Sequence, residues 1–481
     1  MNYRQARWER ETDDGETVAE PLLSEKGTET VTHEASSLPD DLTRDELTLP
    51  ELSEPEVAGH YTRLSQMTYS IEHGPYPLGS CTMKYNPKFT EDVAAIDDGA
   101  IHPDRPDEFA QGTLELLYGL QAFLADVGGM DEVTLQPPAG AAGEFTGLQV
   151  AKAYHRANGE HEQRREVVVP ASAHGTNFAT AALAGYDVVE FPAGEDGRVN
   201  VEALEDAVGD ATAALMLTNP NTIGLFERDI EEIADLVHDA GGLLYYDGAN
   251  LNALLGRARP GDMGFDIMHY NVHKTFASPH GGGGPGAGPI GVVDDLAAFL
   301  PDPHVRETDD GEYELYEPEN SFGKVHGFHG NWLVLLKTYA YISRLGDSGL
   351  KDTSAMAVLN ANYLASQLDL EIPYGPFHHE FVASAGDTDA AEFAKGMLDE
   401  GVHPPTTKWP AIVDEALMTE PTEALSKDQL DLLADAFAAA GQKSDEELAA
   451  APETTAAARI DQTSAARNPR LSWRDLEVAD D

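Results

Sequence analysis

The chain has 481 residues, 41% of them hydrophobic, which is enough for two or three domains with buried cores; 85 acidic against 31 basic residues leave a net charge of −54. Such a charge repels nucleic-acid phosphates and anionic membranes, so neither is an expected partner, and its spread through every segment points to a halophilic cytoplasm where salt screens the self-repulsion. Cys81 is the one cysteine, so an intrachain disulfide is excluded, and MNYRQARWERETDDGE at the start lacks the apolar core of an export signal; the chain reads as cytoplasmic.

Residues 1 to about 50 are polar and acidic and are expected to form an extended arm lying over a partner subunit or the body of the protein. A helix entered through Ser53 and Pro55 follows, and 1–111 are taken together as an N-terminal arm and helical segment. Over 112–344, short β-rich runs alternate with amphipathic helices. The strands are EVTLQ, EVVVP, DVVEF, ATAALMLTNP, LLYYDGAN and FDIMHYNVHK; the helices are TLELLYGLQAFLADVGG, GEFTGLQVAKAYHRAN, TNFATAALAG and DIEEIADLVHDAGG. This alternation predicts an α/β domain with a mostly parallel sheet flanked by helices, its ligand at the carboxyl ends of the strands. A connecting helix, GNWLVLLKTYAYISRLG, leads to a smaller α+β domain over 345–440, and 441–481 reads as a loose acidic, Ala-rich tail.

Reactive residues fall at the predicted strand ends. Lys274 is the only lysine between Lys152 and Lys324. A lysine where a buried strand emerges is costly unless it has chemistry to do, and a neutral amine is what a Schiff base needs; the alternative is a surface lysine. His273 and Thr275 flank it, and Gly281 to Gly284, Pro285, Gly286 and Gly288 supply backbone that can approach a ligand closely. Asp247 ends LLYYDGAN, where a buried acid either meets a cation such as the pyridinium of pyridoxal phosphate or caps the next turn. In LQPPAGAAGEFTG, Gly140, Ala141 and Ala142 open a helix and are either a phosphate cradle or a plain tight turn. His174, after VVVPAS, is placed to stack on a planar cofactor or is structural. Asn219 and Asn221 in LMLTNPNTIG offer amides to a phenolic oxygen or simply mark a turn. Each signal is weak alone; together they describe one cofactor site. Gly281, Gly283 and Gly286 match G-x-G-x-x-G but do not open a helix inside a βαβ unit, and no metal motif is present.

PYPLGSCTMKYNP, LQPPAGAAGE, ASAHGTN, LTNPNTIGLFE, YYDGANLNA, NVHKTFASPHGGGGPG and ALMTEPTE together resemble the P-protein family of glycine decarboxylases, in particular subunit 2 of the split form, over about residues 45–440. The resemblance implies a fold-type I pyridoxal-phosphate enzyme in which Lys274 carries the cofactor, Asp247 faces its pyridine nitrogen, His174 stacks on its ring and Gly140, Ala141 and Ala142 cradle its phosphate. It implies that glycine loses CO2 and that its aminomethyl group passes to the lipoyl arm of an H-protein. It also implies a subunit 1 partner, two of each in a heterotetramer, with active-site walls shared between subunits. Ser80 and Cys81 are then expected on the substrate side, Cys81 alternatively as a buried structural residue, and Glu420 and Glu423 at a domain interface. The alternatives are an aminotransferase or desulfurase of the same fold, or a non-catalytic supporting subunit. Residues 352–450 contain no arginine to hold a second substrate carboxylate, which counts against an aminotransferase.

Overall fold

The structure is a computed structural model that describes residues 3–11, 17–23, 26, 39–42, 51–97, 105–280, 286–327, 329–469 and 471. Much of the expected N-terminal arm, the glycines Gly281 to Gly284 with Pro285, and the last residues of the expected tail lie outside them. The chain divides into two compact units, 75–391 with 404–438, and 1–74 with 392–403 and 439–481.

In the larger unit the helix α1 (Gln111–Gly128) is followed by β1 (Glu132–Thr134), α2 (Gly140–Ala157), β2 (Glu166–Pro170), α3 (Gly175–Leu183), β3 (Asp187–Phe191), β4 (Thr212–Thr218) and α4 (Ile230–Asp239). Then come β5 (Leu243–Asp247), β6 (Ile267–His269), the single turn α5 (Val272–Thr275) and β7 (Ile290–Val292). The strands form one sheet in the order β1-β7-β6-β5-β4-β2-β3. β7 runs antiparallel to both its neighbours and every other pairing is parallel. Successive residues of β4 and of β5 alternate between two cores, Leu215, Leu217 and Tyr246 in one and Ala214, Met216 and Tyr245 in the other, as the two-residue period of a strand covered on both faces requires.

The predicted strand FDIMHYNVHK is a strand only over Ile267–His269, with one further pairing from Tyr270 N–H to Pro289 O. The chain then closes a helical turn in which the N–H groups of Lys274 and Thr275 both donate to Asn271 O, so Lys274 sits on that turn instead of a strand end.

A helix spanning Trp332–Gln367, interrupted at Gly346 (φ 60°, ψ −175°), leads to a small antiparallel sheet. Its strands, β8 (Phe381–Ser384), β9 (Thr406–Thr407) and β10 (Ala416–Thr419), are arranged β8-β10-β9.

In the smaller unit the helix Glu54–Met67 begins at Ser53, whose N–H and hydroxyl both donate to Glu56 Oε2, with Pro55 in the first turn. The stretch after 441, expected as a loose tail, is fastened as far as Arg459. Asp399 Oδ1 accepts from the N–H groups of Glu453 (2.7 Å) and Thr454 (2.8 Å), Arg459 Nε donates to Ala451 O (2.8 Å), and Ala451 is fully buried.

Candidate active site

The carboxyl ends of β2, β4, β5 and β6 surround a cavity of about 170 Å³ lined by Lys274, Asp247, Glu144, His174, His269 and Gly140 among others. Lys274 Nζ donates to the carbonyl of Ser80 at 3.0 Å. Asp247, 3% exposed, ends β5; its Oδ1 accepts from Ala249 N–H at 3.0 Å and its Oδ2 from Asn177 Nδ2 at 3.1 Å. Burial pushes this carboxyl upward, but the charge of Lys274 and the two N–H donors outweigh it and hold the pKa below its ordinary value. His269 Nε2 lies 3.4 Å from Asp247 Oδ1, yet burial lowers its own pKa to about 4, so at neutral pH the ring is uncharged and the donors and Lys274 keep Asp247 ionised.

Asn177 spends its amide on two acids, donating to Glu144 Oε2 at 2.9 Å as well as to Asp247. Glu144, in the second turn of α2, is pushed up to about 8 by burial and by the charge of Asp247, so it is mostly protonated at pH 7.

α2 opens at Gly140 after Ala139, whose methyl group accepts no hydrogen bond, so the first N–H groups of an 18-residue helix lack a side-chain cap. A Cβ on Gly288 would stand 2.2 Å from the backbone Ala139 O, so glycine is required there, and one on Gly140 would stand 2.4 Å from Asn271 Oδ1, so that side chain would have to move. Gly140 and Ala141 line the cavity; Ala142 does not. His174 caps α3, its Nδ1 accepting from Thr176 N–H at 3.2 Å, and its ring meets Trp409 edge-on at 6.3 Å. His273 lines the cavity, and burial together with Lys274 lowers its pKa to about 3.

Asn219 and Asn221 stand away from the cavity. Asn219 Oδ1 accepts from Glu227 N–H at 3.0 Å, and Asn221 bridges Ile223, Leu225, Gly197 and Glu227, so both amides hold their own loop together. The asparagines at the cavity wall are Asn250 and Asn271.

Ser80 lines the cavity and its neighbour Cys81 is half-buried, with its thiol pKa raised by burial. Ser80 (φ 65°) and Thr82 (φ 49°) are both left-handed. Their N–H groups donate to Glu380 Oε2 (3.0 Å) and Glu420 Oε2 (2.9 Å). Buried Lys84 donates to Glu423 Oε1 (2.6 Å), Asn252 Oδ1 (2.8 Å) and Thr275 O (2.9 Å), beside Lys274. Glu420 and Glu423 therefore serve the loop that meets Lys274.

Sequence reasoning passed over Glu144, Asn177, Glu380 and Lys84. Glu380 carried a legible signal, an acid adjoining the apolar run FVAS, the criterion that singled out Asp247. Glu144 and Asn177 carried none, because they meet only across two helices.

Residues 353–459 match the family described as glycine dehydrogenase, C-terminal domain, and 145–283 match aminotransferase class-V. The probable glycine dehydrogenase (decarboxylating) subunit 2 of Halobacterium salinarum is 70% identical over 477 residues, covering 99% of this chain and 100% of the relative. The protein of the same description from Thermoplasma volcanium is 51% identical over 485 residues, 98% of this chain and 100% of that one. Among solved structures, glycine decarboxylase (P-protein) of the glycine cleavage system, in inhibitor-bound form, superposes with a TM-score of 0.70 at 23% identity, over 84% of this chain and 93% of that one. The cysteine desulfurase CsdA of Escherichia coli superposes at 0.58 and 14% identity, over 81% and 99%, so the two structures share the fold. With 70% and 51% identity sustained over nearly its whole length, the chain belongs to the family of glycine dehydrogenase (decarboxylating) subunit 2 proteins.

Proposed function

We propose that this chain is the cofactor-bearing subunit of a split glycine decarboxylase. It removes the carboxylate of glycine as CO2 and delivers the remaining aminomethyl group to a lipoyl disulfide on an H-protein. The observation that carries this reading is the meeting, around one cavity, of Lys274 Nζ, the buried ionised Asp247 and the uncapped start of α2.

The donor set fits pyridoxal phosphate on its own chemistry. Asp247 is a buried anion whose hydrogen bonds come from N–H groups, which suits a pyridinium; the N–H groups opening α2 suit a phosphate; the amine of Lys274 suits a Schiff-base linkage. When bound, the cofactor supplies an electron sink for the pair left as the bond between Cα and the carboxylate breaks.

The chain's own groups set the conditions for that step. Asp247 stays ionised, while Glu144 beside it stays mostly protonated and adds no second full charge. His174 accepts the Thr176 N–H through Nδ1, so its proton sits on Nε2. In the transfer the lipoyl disulfide is the oxidant: one sulfur takes the aminomethyl carbon and the other leaves as a thiol with one proton. The designation of the relatives as subunit 2 supports a subunit 1 partner, and two copies of each is the assembly we propose.

The test is release of labelled CO2 from carboxyl-labelled glycine by this chain with subunit 1 and lipoylated H-protein in multimolar KCl. Wild type is expected to release CO2, and Lys274→Ala is expected to lose both the release and the absorbance of bound cofactor. A wild type that binds the cofactor yet releases no CO2 would overturn the assignment while leaving the site intact.

A further inference from the structure

Glu380 immediately precedes β8 and Glu420 immediately follows β10. Phe381 pairs with Thr419, so the two carboxyls lie side by side at one end of the small sheet, both fully buried. Adjacent like charges are destabilising in a sheet unless something compensates them. Glu380 accepts from Ser80 N–H through Oε2 and from Asn250 Nδ2 through Oε1, each at 3.0 Å. Glu420 accepts from Thr82 N–H through Oε2, while its Oε1 has no hydrogen-bond donor among the described residues. The turn they grip is strained, with both Ser80 and Thr82 left-handed, and it is locked from below because a Cβ on Gly79 would stand 2.5 Å from Met418 O.

We propose that Glu380 and Glu420 act as one anionic unit that positions Lys274. They hold turn 80–82 in its left-handed form, so that the Ser80 carbonyl receives the lysine Nζ, and they supply the negative charge that faces it. Burial raises the pKa of both acids, and their mutual repulsion raises that of Glu380 further, so near neutral pH the pair carries less than two full charges. The groups facing the pair are Lys274, Lys84, His379, Cys81 and, through Lys84, Glu423. The fully buried ring of His379 stands 3.8 Å from an oxygen of each acid, and burial lowers its pKa to about 3, so it adds no charge. His379, Glu380 and Glu420 have the composition of a metal site, but the ammonium groups of Lys84 and Lys274 already face the two acids.

The first test needs no cofactor. Cys81 is the only cysteine of the chain and lies between the two pinned amides, so its rate of reaction with a thiol reagent reads the order of the turn. In the full chain, Glu380→Gln offers one acceptor oxygen to two donors and is expected to speed labelling about tenfold. Glu420→Gln keeps the acceptor for Thr82 and is expected to leave the rate unchanged, and Glu420→Ala is expected to raise it. Labelling as slow as wild type in folded Glu380→Gln and in Glu420→Ala would overturn the positioning role.

The second test rests on the cofactor reading. In the complex with subunit 1 and pyridoxal phosphate, Glu420→Gln removes negative charge near Lys274. The pH at which the bound cofactor's absorbance changes form is then expected to fall, with Glu420→Asp restoring it. An unmoved transition, even with lowered thermal stability, would overturn the electrostatic half. A chain without cofactor absorbance would refute the proposed function, and the labelling rates would still decide the positioning.

Discussion

Replacing Glu144 by Gln probes the electrostatics of the site through stability alone. In the folded chain this carboxyl titrates at about 8 against an ordinary 4.5, because α2 buries it to 5% exposure beside Asp247. A group raised in this way stabilises the fold while protonated, and that stability is lost as pH rises from its unfolded value through its folded one. Integrating the difference between pH 5 and pH 8 gives a loss of about 3 kcal/mol from this residue. Gln keeps an acceptor for Asn177 Nδ2 and cannot ionise, so the variant escapes the loss. The assay is denaturant unfolding of cofactor-free wild type and variant at pH 5, 6.5 and 8 in multimolar KCl. The variant should gain on wild type with each step upward. Parallel pH dependences would show that Glu144 is not held protonated and would refute the reasoning.

On the acid side the sign reverses. Buried His269 and His379 have pKa values lowered to about 4 and about 3, so the unfolded chain binds more protons there, and each costs about 2 kcal/mol by pH 5. Replacing His379 by Gln should flatten unfolding between pH 7 and pH 5; an unchanged slope would count against its neutrality. Gly140→Ala drives a methyl group into Asn271 Oδ1 and disturbs the 2.6 Å contact between Asn271 Nδ2 and His269 Nε2. It should weaken cofactor binding, measured by absorbance titration, by about tenfold or more through overpacking of about 1–3 kcal/mol; undiminished affinity would remove α2 from the phosphate role. With a net charge of −54, the thermal midpoint should rise from low to multimolar KCl as the screening length falls to about 3 Å at 1 M. A midpoint indifferent to salt would end the halophilic reading.

Much of this molecule is written in local pattern. EVVVP and DVVEF are strands over the residues predicted: EVVVP is buried from Val167 to Pro170, as a parallel strand covered on both faces requires, whereas DVVEF lies at the edge of the sheet with only Phe191 buried. Lys274, Asp247, His174, Gly140 and Ala141 were recognisable because each is chemically out of place where a strand or turn ends, and the sheet brings all five to one cavity. The same cue misled at Asn219 and Asn221, whose polar amides satisfy their own loop, a use that composition cannot distinguish from facing a ligand.

The α/β architecture and the positions of Lys274 and Asp247 near the ends of apolar segments follow from residue type and short-range periodicity. That Glu144 shares Asn177 with Asp247, that Lys84 braces Thr275, and that Glu380 and Glu420 grip alternate amides of a turn 300 and 338 residues away emerges once the chain has packed. Those pairings join segments remote in the chain. Their energies depend on burial and on the distance between charges, and neither is defined until the sheets have packed.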